Sequence, residues 1–351
     1  MSSARRKNIG KVNWLLLAVL AGGALASLFF VGSRNTLPTP VSIGQAKDEP
    51  LSIHGVGGAW YWREQPLKGK GRLIRATIAG MKEIATADAL PSFDTDGKTL
   101  VWTARQGAEW SVMSANVEGG GGHAVWSGKE EPRGVKMIQE RIYWLLRTPA
   151  PIDIALPFPP LQSSLQIVSV PIGGGALEAS ARLPEADDGE ALGISEGSLY
   201  VRAVRMSSPG ATSLYRVNTQ NRTFTRITSV ARHLPALLTR NGTLYWLAPS
   251  KETDSPQIAM QVFRMGASGT IEPLTDWLPA GGALYETAND VLYADREMPP
   301  SFWRLGSQDV FPTTLPLPKD FTALALGDTT ALVMSASTPR SKPALYQIPL
   351  Q

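Results

Sequence analysis

An aromatic-tipped run recurs along this chain, and its spacing constrains the fold more than any other feature. It reads AWYW at Ala59, LVW at Leu100, IYW at Ile142, LYV at Leu199, LYW at Leu244, VLY at Val291 and ALV at Ala331. The seven copies lie mostly 40–47 residues apart, with one interval of 57. A fixed period of this length means repeated supersecondary units that bury their apolar faces against one another.

Each copy is followed by a polar break and a second alternating run, such as RLIRATI, WSVMSANV, LQIVSV, SLYRVN, QVFRMG, SFWRLG and ALYQIPL. Alternation of period two marks half-buried antiparallel strands. A third short run closes most copies, as in KEIAT, HAVWS and FTRIT. Before the aromatic run lies a first strand ending in a turn, with Asp96-Gly97 and Asn241-Gly242 as two-residue hairpin signals. Four strands in each of seven units predict an all-β, seven-bladed β-propeller of four-stranded antiparallel blades. The seventh unit runs out after ALYQIPLQ without an outer strand. An open edge invites aggregation, and PVSIG at Pro40–Gly44 is the expected donor of the closing strand.

WYWREQPLKGKGRLIRATIAG, Trp60–Gly80, resembles a YWTD-type propeller repeat, and PSFDTDGKTLVW, Pro91–Trp102, resembles the hairpin of TolB-like propellers. The Thr-Asp that follows Tyr-Trp in the YWTD pattern is absent from each copy. The resemblance implies the fold, with binding as its commonest use, and carries no catalytic residue across.

The uncharged run Trp14–Gly32 is long enough to cross a bilayer once as a helix. Arg5, Arg6, Lys7 and Lys11 precede it, which keeps the N-terminus cytoplasmic and exports the rest. A cleaved signal peptide is the competing reading, since Ala24–Ala26 offers small residues; the apolar run continues past that site through Val31 and favours an anchor. The expected organisation is a basic N-terminus at 1–13, a signal-anchor helix at 14–32, a linker with a candidate closing strand at 33–50, and the propeller at 51–351. The expected location is the cell membrane, single-pass, with the propeller extracytoplasmic.

Those four basic residues account for the whole formal net charge of +4, so the remainder of the chain is balanced. A nucleic-acid binder carries its basic excess on the folded domain, and none is expected here. The chain has no cysteine, which excludes disulfides and thiolate chemistry, and its three histidines are too scattered to suggest a metal site. No cofactor is expected. Asp94–Gly97, DTDG, lacks the later ligands of a calcium loop and reads as a turn. Trp62, Trp102, Trp144, Trp246 and Trp303 fall at repeat-defining positions and read as core.

The candidate binding residues are cations that follow the aromatic strand. Arg105, Arg147 and Arg296 share one position, with Arg63, Arg205, Lys251 and Arg340 near the same loop in other units. These loops emerge on one face of a propeller, so the spacing predicts a loose ring of cations there, suited to an anionic ligand. The longest interval holds TPAPIDIALPFPPLQSS, Thr148–Ser164, whose prolines and apolar anchors, Phe158 among them, suggest a partner-docking loop on that face. The leading expectation is a membrane-anchored binding or scaffold module for a protein, glycan or anionic ligand. The alternative is an envelope hydrolase or lyase, with carboxylates such as Glu64, Asp153 and Asp254 converging in the funnel.

Overall fold

The computed structural model describes residues 39–149, 163–183, 186, 188–195, 197–204, 212–230, 237–240, 243–249, 260–266, 269–274, 282–286, 291–294, 302–305, 310–313, 321–327, 329–335 and 344–349. The predicted anchor at 14–32, Phe158, Arg205, Lys251, Arg296 and Arg340 lie outside them, as do Asp153 and Asp254. Every regular element among the described residues is a β-strand, and no helix there is long and apolar enough to cross a membrane.

The strands fall into seven four-stranded antiparallel sheets. Strand β1 (Val41–Gln45) precedes the first blade, which comprises β2 (Leu51–Val56), β3 (Ala59–Glu64), β4 (Gly71–Thr77) and β5 (Gly80–Ala87). The second blade is β6 (Phe93–Thr95), β7 (Thr99–Gln106), β8 (Glu109–Asn116) and β9 (His123–Gly128). The third is β10 (Arg133–Ile138), β11 (Arg141–Pro149), β12 (Ser163–Pro171) and β13 (Glu178–Leu183), and the fourth is β14 (Asp188–Ser195), β15 (Ser198–Val204), β16 (Thr212–Asn218) and β17 (Thr223–Val230). The fifth is β18 (Leu237–Arg240), β19 (Thr243–Pro249), β20 (Met260–Met265) and β21 (Ile271–Pro273). The sixth is β22 (Ala283–Glu286), β23 (Val291–Ala294), β24 (Phe302–Leu305) and β25 (Val310–Thr313). The seventh takes β26 (Phe321–Leu326), β27 (Thr330–Ser335) and β28 (Ala344–Pro349), and β1 completes it as the outer strand. Val41 pairs with Gln347 and Ser42 with Tyr346, so the first strand of the fold closes the last blade.

The first strand of each blade touches the first strand of the next, and β26 touches β2, which closes the ring around a central channel. The second strands explain the aromatic repeat. Trp60 and Trp62 pack into the cluster shared with the seventh blade, while Tyr61 between them packs into the cluster shared with the second. In the third blade, Ile142, Trp144 and Leu146 face the second blade, and Tyr143 and Leu145 face the fourth. A strand buried on both faces has no solvent side to alternate with, so it reads as a continuous apolar run. Trp62, Trp102, Trp144 and Trp246 are buried core residues, and Trp303 is half-buried against Tyr293. Asp96 accepts hydrogen bonds from the amides of Lys98 (2.8 Å) and Thr99 (2.7 Å), so DTDG is the end of β6 leading into a turn at Asp96-Gly97.

Candidate functional site

Antiparallel order puts the start of each first strand and the end of each second strand on the same face of the ring. On that face, the mouth of the channel holds a cleft of about 220 Å³ between the second, third and fourth blades. Pro91 and Ser92 line it from the entry to β6, Arg133 from β10, and Asp188, Glu190 and Arg202 from β14 and β15.

Gly134 lets the third and fourth blades approach closely. Its φ is +63°, and a Cβ there would collide with the backbone nitrogen of Ala191. The β10–β11 register shifts between Arg133 and Lys136, the local kink expected of a β-bulge. Across this contact the Arg133 guanidinium donates to Asp188, and it also donates to Glu131 at 3.0 Å. Burial pushes Arg133 down, but the hydrogen bond to Asp188 and the charges of Asp188 and Glu131 more than offset it, and the net shift is upward. Arg202 donates to Glu190 at 2.7 Å. Ser92 is committed to structure: its hydroxyl accepts from the Val135 amide and bonds the Thr103 hydroxyl, each at 3.1 Å.

Arg63, at the end of β3, lies outside the cleft's lining and approaches its edge beside Pro91. Its Nε donates to Ser52 Oγ at 3.3 Å, and Nη1 makes a long contact of 3.5 Å to the carbonyl of Leu90, the residue before Pro91. Burial lowers its affinity for its proton, which Glu190 partly restores. Among the described residues no carboxylate lies within ion-pairing distance of Arg63.

A second charged group lines the channel. His54, Asp94 and Lys136 come from β2, β6 and β10, with His54 Nδ1 3.7 Å and Lys136 Nζ 3.5 Å from Asp94 Oδ1. Asp94 Oδ2 also accepts from the Met137 amide at 2.9 Å. Burial, then the charge of Lys136, push His54 down to about 4 against the pull of Asp94.

The described part of the expected cation ring therefore divides. Arg63, Arg105 and Arg147 all stand near the ends of second strands, and Arg63 contacts the Leu90 carbonyl at the edge of the cleft. Arg105 is exposed, with its guanidinium 5.6 Å over the Trp110 ring, and Arg147 is exposed on β11. Glu64 does not belong to the funnel chemistry expected of it: it is buried, paired with Arg72, and accepts from Trp62 Nε1 at 3.1 Å. Arg133, Asp188, Glu190 and Arg202 were not singled out from sequence. Their available signal was a charged residue followed by glycine at the entry to a first strand, Arg133-Gly134 and Asp188-Gly189.

No family model matches the chain, and no curated protein does. Solved structures do. Acylaminoacyl peptidase from Pyrococcus horikoshii aligns over 87% of this chain and 51% of its own, with 11% identity and a TM-score of 0.57. The β-propeller domain of the Trilobed protease from Pyrococcus furiosus aligns over 85% and 94%, with 9% identity and a TM-score of 0.55. This chain is a seven-bladed β-propeller. An oligogalacturonate lyase solved with manganese aligns over 84% and 86%, with 9% identity and a TM-score of 0.55. At such identities the likeness establishes the propeller fold alone. This propeller spans about half the length of the acylaminoacyl peptidase it matches. The Trilobed protease domain is described as having an open velcro topology, whereas here β1 pairs with β28. Among the described residues, no group of three or more His, Asp or Glu side chains is arranged to hold a metal ion.

Proposed function

We propose that this chain is a membrane-anchored, extracytoplasmic propeller of YWTD-like or TolB-like kind that binds a protein, glycan or small ligand through an anionic group at the channel mouth. One observation carries the reading: Arg63 is a partly buried guanidinium at the mouth with no carboxylate partner among the described residues. A buried cation without a counter-ion is costly, and a bound anion relieves that cost. The mouth's carboxylates Asp188 and Glu190 are each held by an arginine, which is the arrangement of a charge-matched recognition surface.

The test is a titration of the full chain in detergent with short polyglutamate and polylysine peptides at low and high salt. Binding of polyglutamate that weakens with salt and is lost in an Arg63→Ser, Arg202→Ser variant of unchanged fold supports the reading. Equal binding of both peptides, or none, overturns it. For the address, protease added to cells with a permeable outer layer should digest the propeller before lysis; digestion only after lysis reverses the orientation.

The enzyme reading draws on the likeness to peptidase and lyase propellers, and on His54, Asp94 and Lys136 meeting in the channel. Turnover of a peptide or uronate substrate that is abolished by Asp94→Asn, with the fold intact, would favour it over binding alone.

A further inference from the structure

The charges at the mouth are segregated, and the pattern points to the ligand. Arg133 is shared by two carboxylates, Asp188 and Glu131. Arg202 is paired with Glu190. Arg63 has no carboxylate partner among the described residues, although Glu190 acts on it from a distance. Among these described groups the carboxylates gather beside Arg133, where two share one guanidinium, and the cation without a carboxylate partner stands at Arg63. An anion alone would satisfy Arg63 and leave Asp188 and Glu131 sharing the single guanidinium of Arg133. A cleft of about 220 Å³ is below the range that holds drug-sized ligands, so the occupant is small or is the tip of something larger.

We propose that the cleft and the rim beside it take a zwitterionic group of amino-acid to dipeptide size, with its ammonium at Asp188 in the cleft, whose charge Glu131 reinforces, and its carboxylate reaching over the edge to Arg63. This rests on the reading of the mouth as an anion-binding site and adds the second charge and the size. Two sources share that chemistry: a free dipeptide, or neighbouring acidic and basic side chains on a protein partner.

The experiment is calorimetric titration of the full chain with glycylglycine, its N-acetyl form, its C-terminal amide, and an end-blocked peptide carrying adjacent Glu and Lys. Removing either charge should weaken binding by about tenfold or more, the loss expected for one charge-assisted contact. Arg63→Gln should equalise the free dipeptide and its amide, and Glu131→Gln should narrow the gap between the free dipeptide and its acetylated form. Tighter binding of the blocked Glu-Lys peptide than of the dipeptide assigns the site to a protein partner, and the reverse order to a free small molecule; either supports the inference. If the acetylated dipeptide binds as tightly as the free one and depends on Arg63, the anion site stands and the zwitterion inference is overturned. If no probe binds while polyglutamate does, the inference fails in the same way.

Discussion

His54 Nδ1 lies 3.7 Å from Asp94 Oδ1 across the boundary between the first and second blades, yet the ring does not gain a proton from that neighbour. Burial and Lys136 outweigh Asp94 and hold His54 near 4, against 6.5 for the free side chain. Between those values the unfolded chain binds a proton that the folded chain refuses, so this group's contribution to stability falls as pH drops from 6.5 to 4. At about 1.4 kcal/mol per unit the loss reaches at most about 3 kcal/mol, and less to the extent that channel water reaches the side chain. Denaturant titrations across this range, on wild type and His54→Gln, should show wild type losing its advantage towards pH 4. Parallel curves would show that His54 is solvated.

Closure of the ring makes the second prediction. Ile43 on β1 is 3% exposed and packs with Trp60 and Trp62, so Ile43→Ala should cost about 2–4 kcal/mol. Removing residues 38–45 exposes the whole β28 edge as well and should add self-association visible by light scattering. An unchanged melting point in both variants would show that the β1–β28 ladder adds nothing.

The third prediction separates two glycines of nearly equal φ. Gly134 at +63° faces the Ala191 backbone, whereas Gly107 at +61° faces open space. Gly107→Ala should cost about 1 kcal/mol, the strain of a left-handed alanine. Gly134→Ala should cost clearly more and should also weaken ligand binding, because it pushes Arg133 away from Asp188. Equal costs would mean that the third and fourth blades are not in contact there.

The buried pair Glu64 and Arg72 gives a double-mutant test. Glu64 is 1% exposed and Arg72 9%, and Asp48 supports the arginine at 3.1 Å. Glu64→Ala leaves a buried cation without its main partner and should cost about 3–5 kcal/mol, while Glu64→Leu with Arg72→Met should recover most of that loss. A double variant no better than the single one would show that the pair itself, rather than the orphaned charge, sets the stability.

The blades were legible in the sequence because each second strand is buried on both faces: Trp60, Tyr61 and Trp62 serve two inter-blade clusters and cannot be polar. The closing strand was legible because PVSIG alternates and stands outside the first unit, and it pairs with β28 as its pattern allows. The mouth was not. Arg133 and Asp188 are 55 residues apart, and their contact depends on how closely consecutive blades approach, which no local pattern encodes. Attention to the ends of second strands found Arg63 and missed the entries to the first strands, where most of the cleft's charge resides. Equal spacing also says nothing of side-chain direction: Trp110 on the neighbouring strand draws Arg105 over its own face.

That divergence yields the last prediction. Arg63 and Arg105 hold related positions in consecutive blades, but Arg63 is partly buried beside the mouth with no carboxylate partner among the described residues, while Arg105 stacks in solvent on Trp110. A charge-assisted hydrogen bond to a desolvated cation contributes about 1.5–3 kcal/mol, whereas an exposed charge acts only within a screening length of about 8 Å at physiological salt. Arg63→Ser should therefore weaken polyglutamate binding by about 10- to 100-fold, chiefly through faster dissociation, and retain the loss at high salt. Arg105→Ser should change affinity by about twofold or less, through association rate alone, and the difference should vanish as salt rises. Surface-immobilised binding kinetics at two salt concentrations resolve both effects. Equal losses for the two variants would restore the uniform cation ring and displace Arg63 from its role at the mouth.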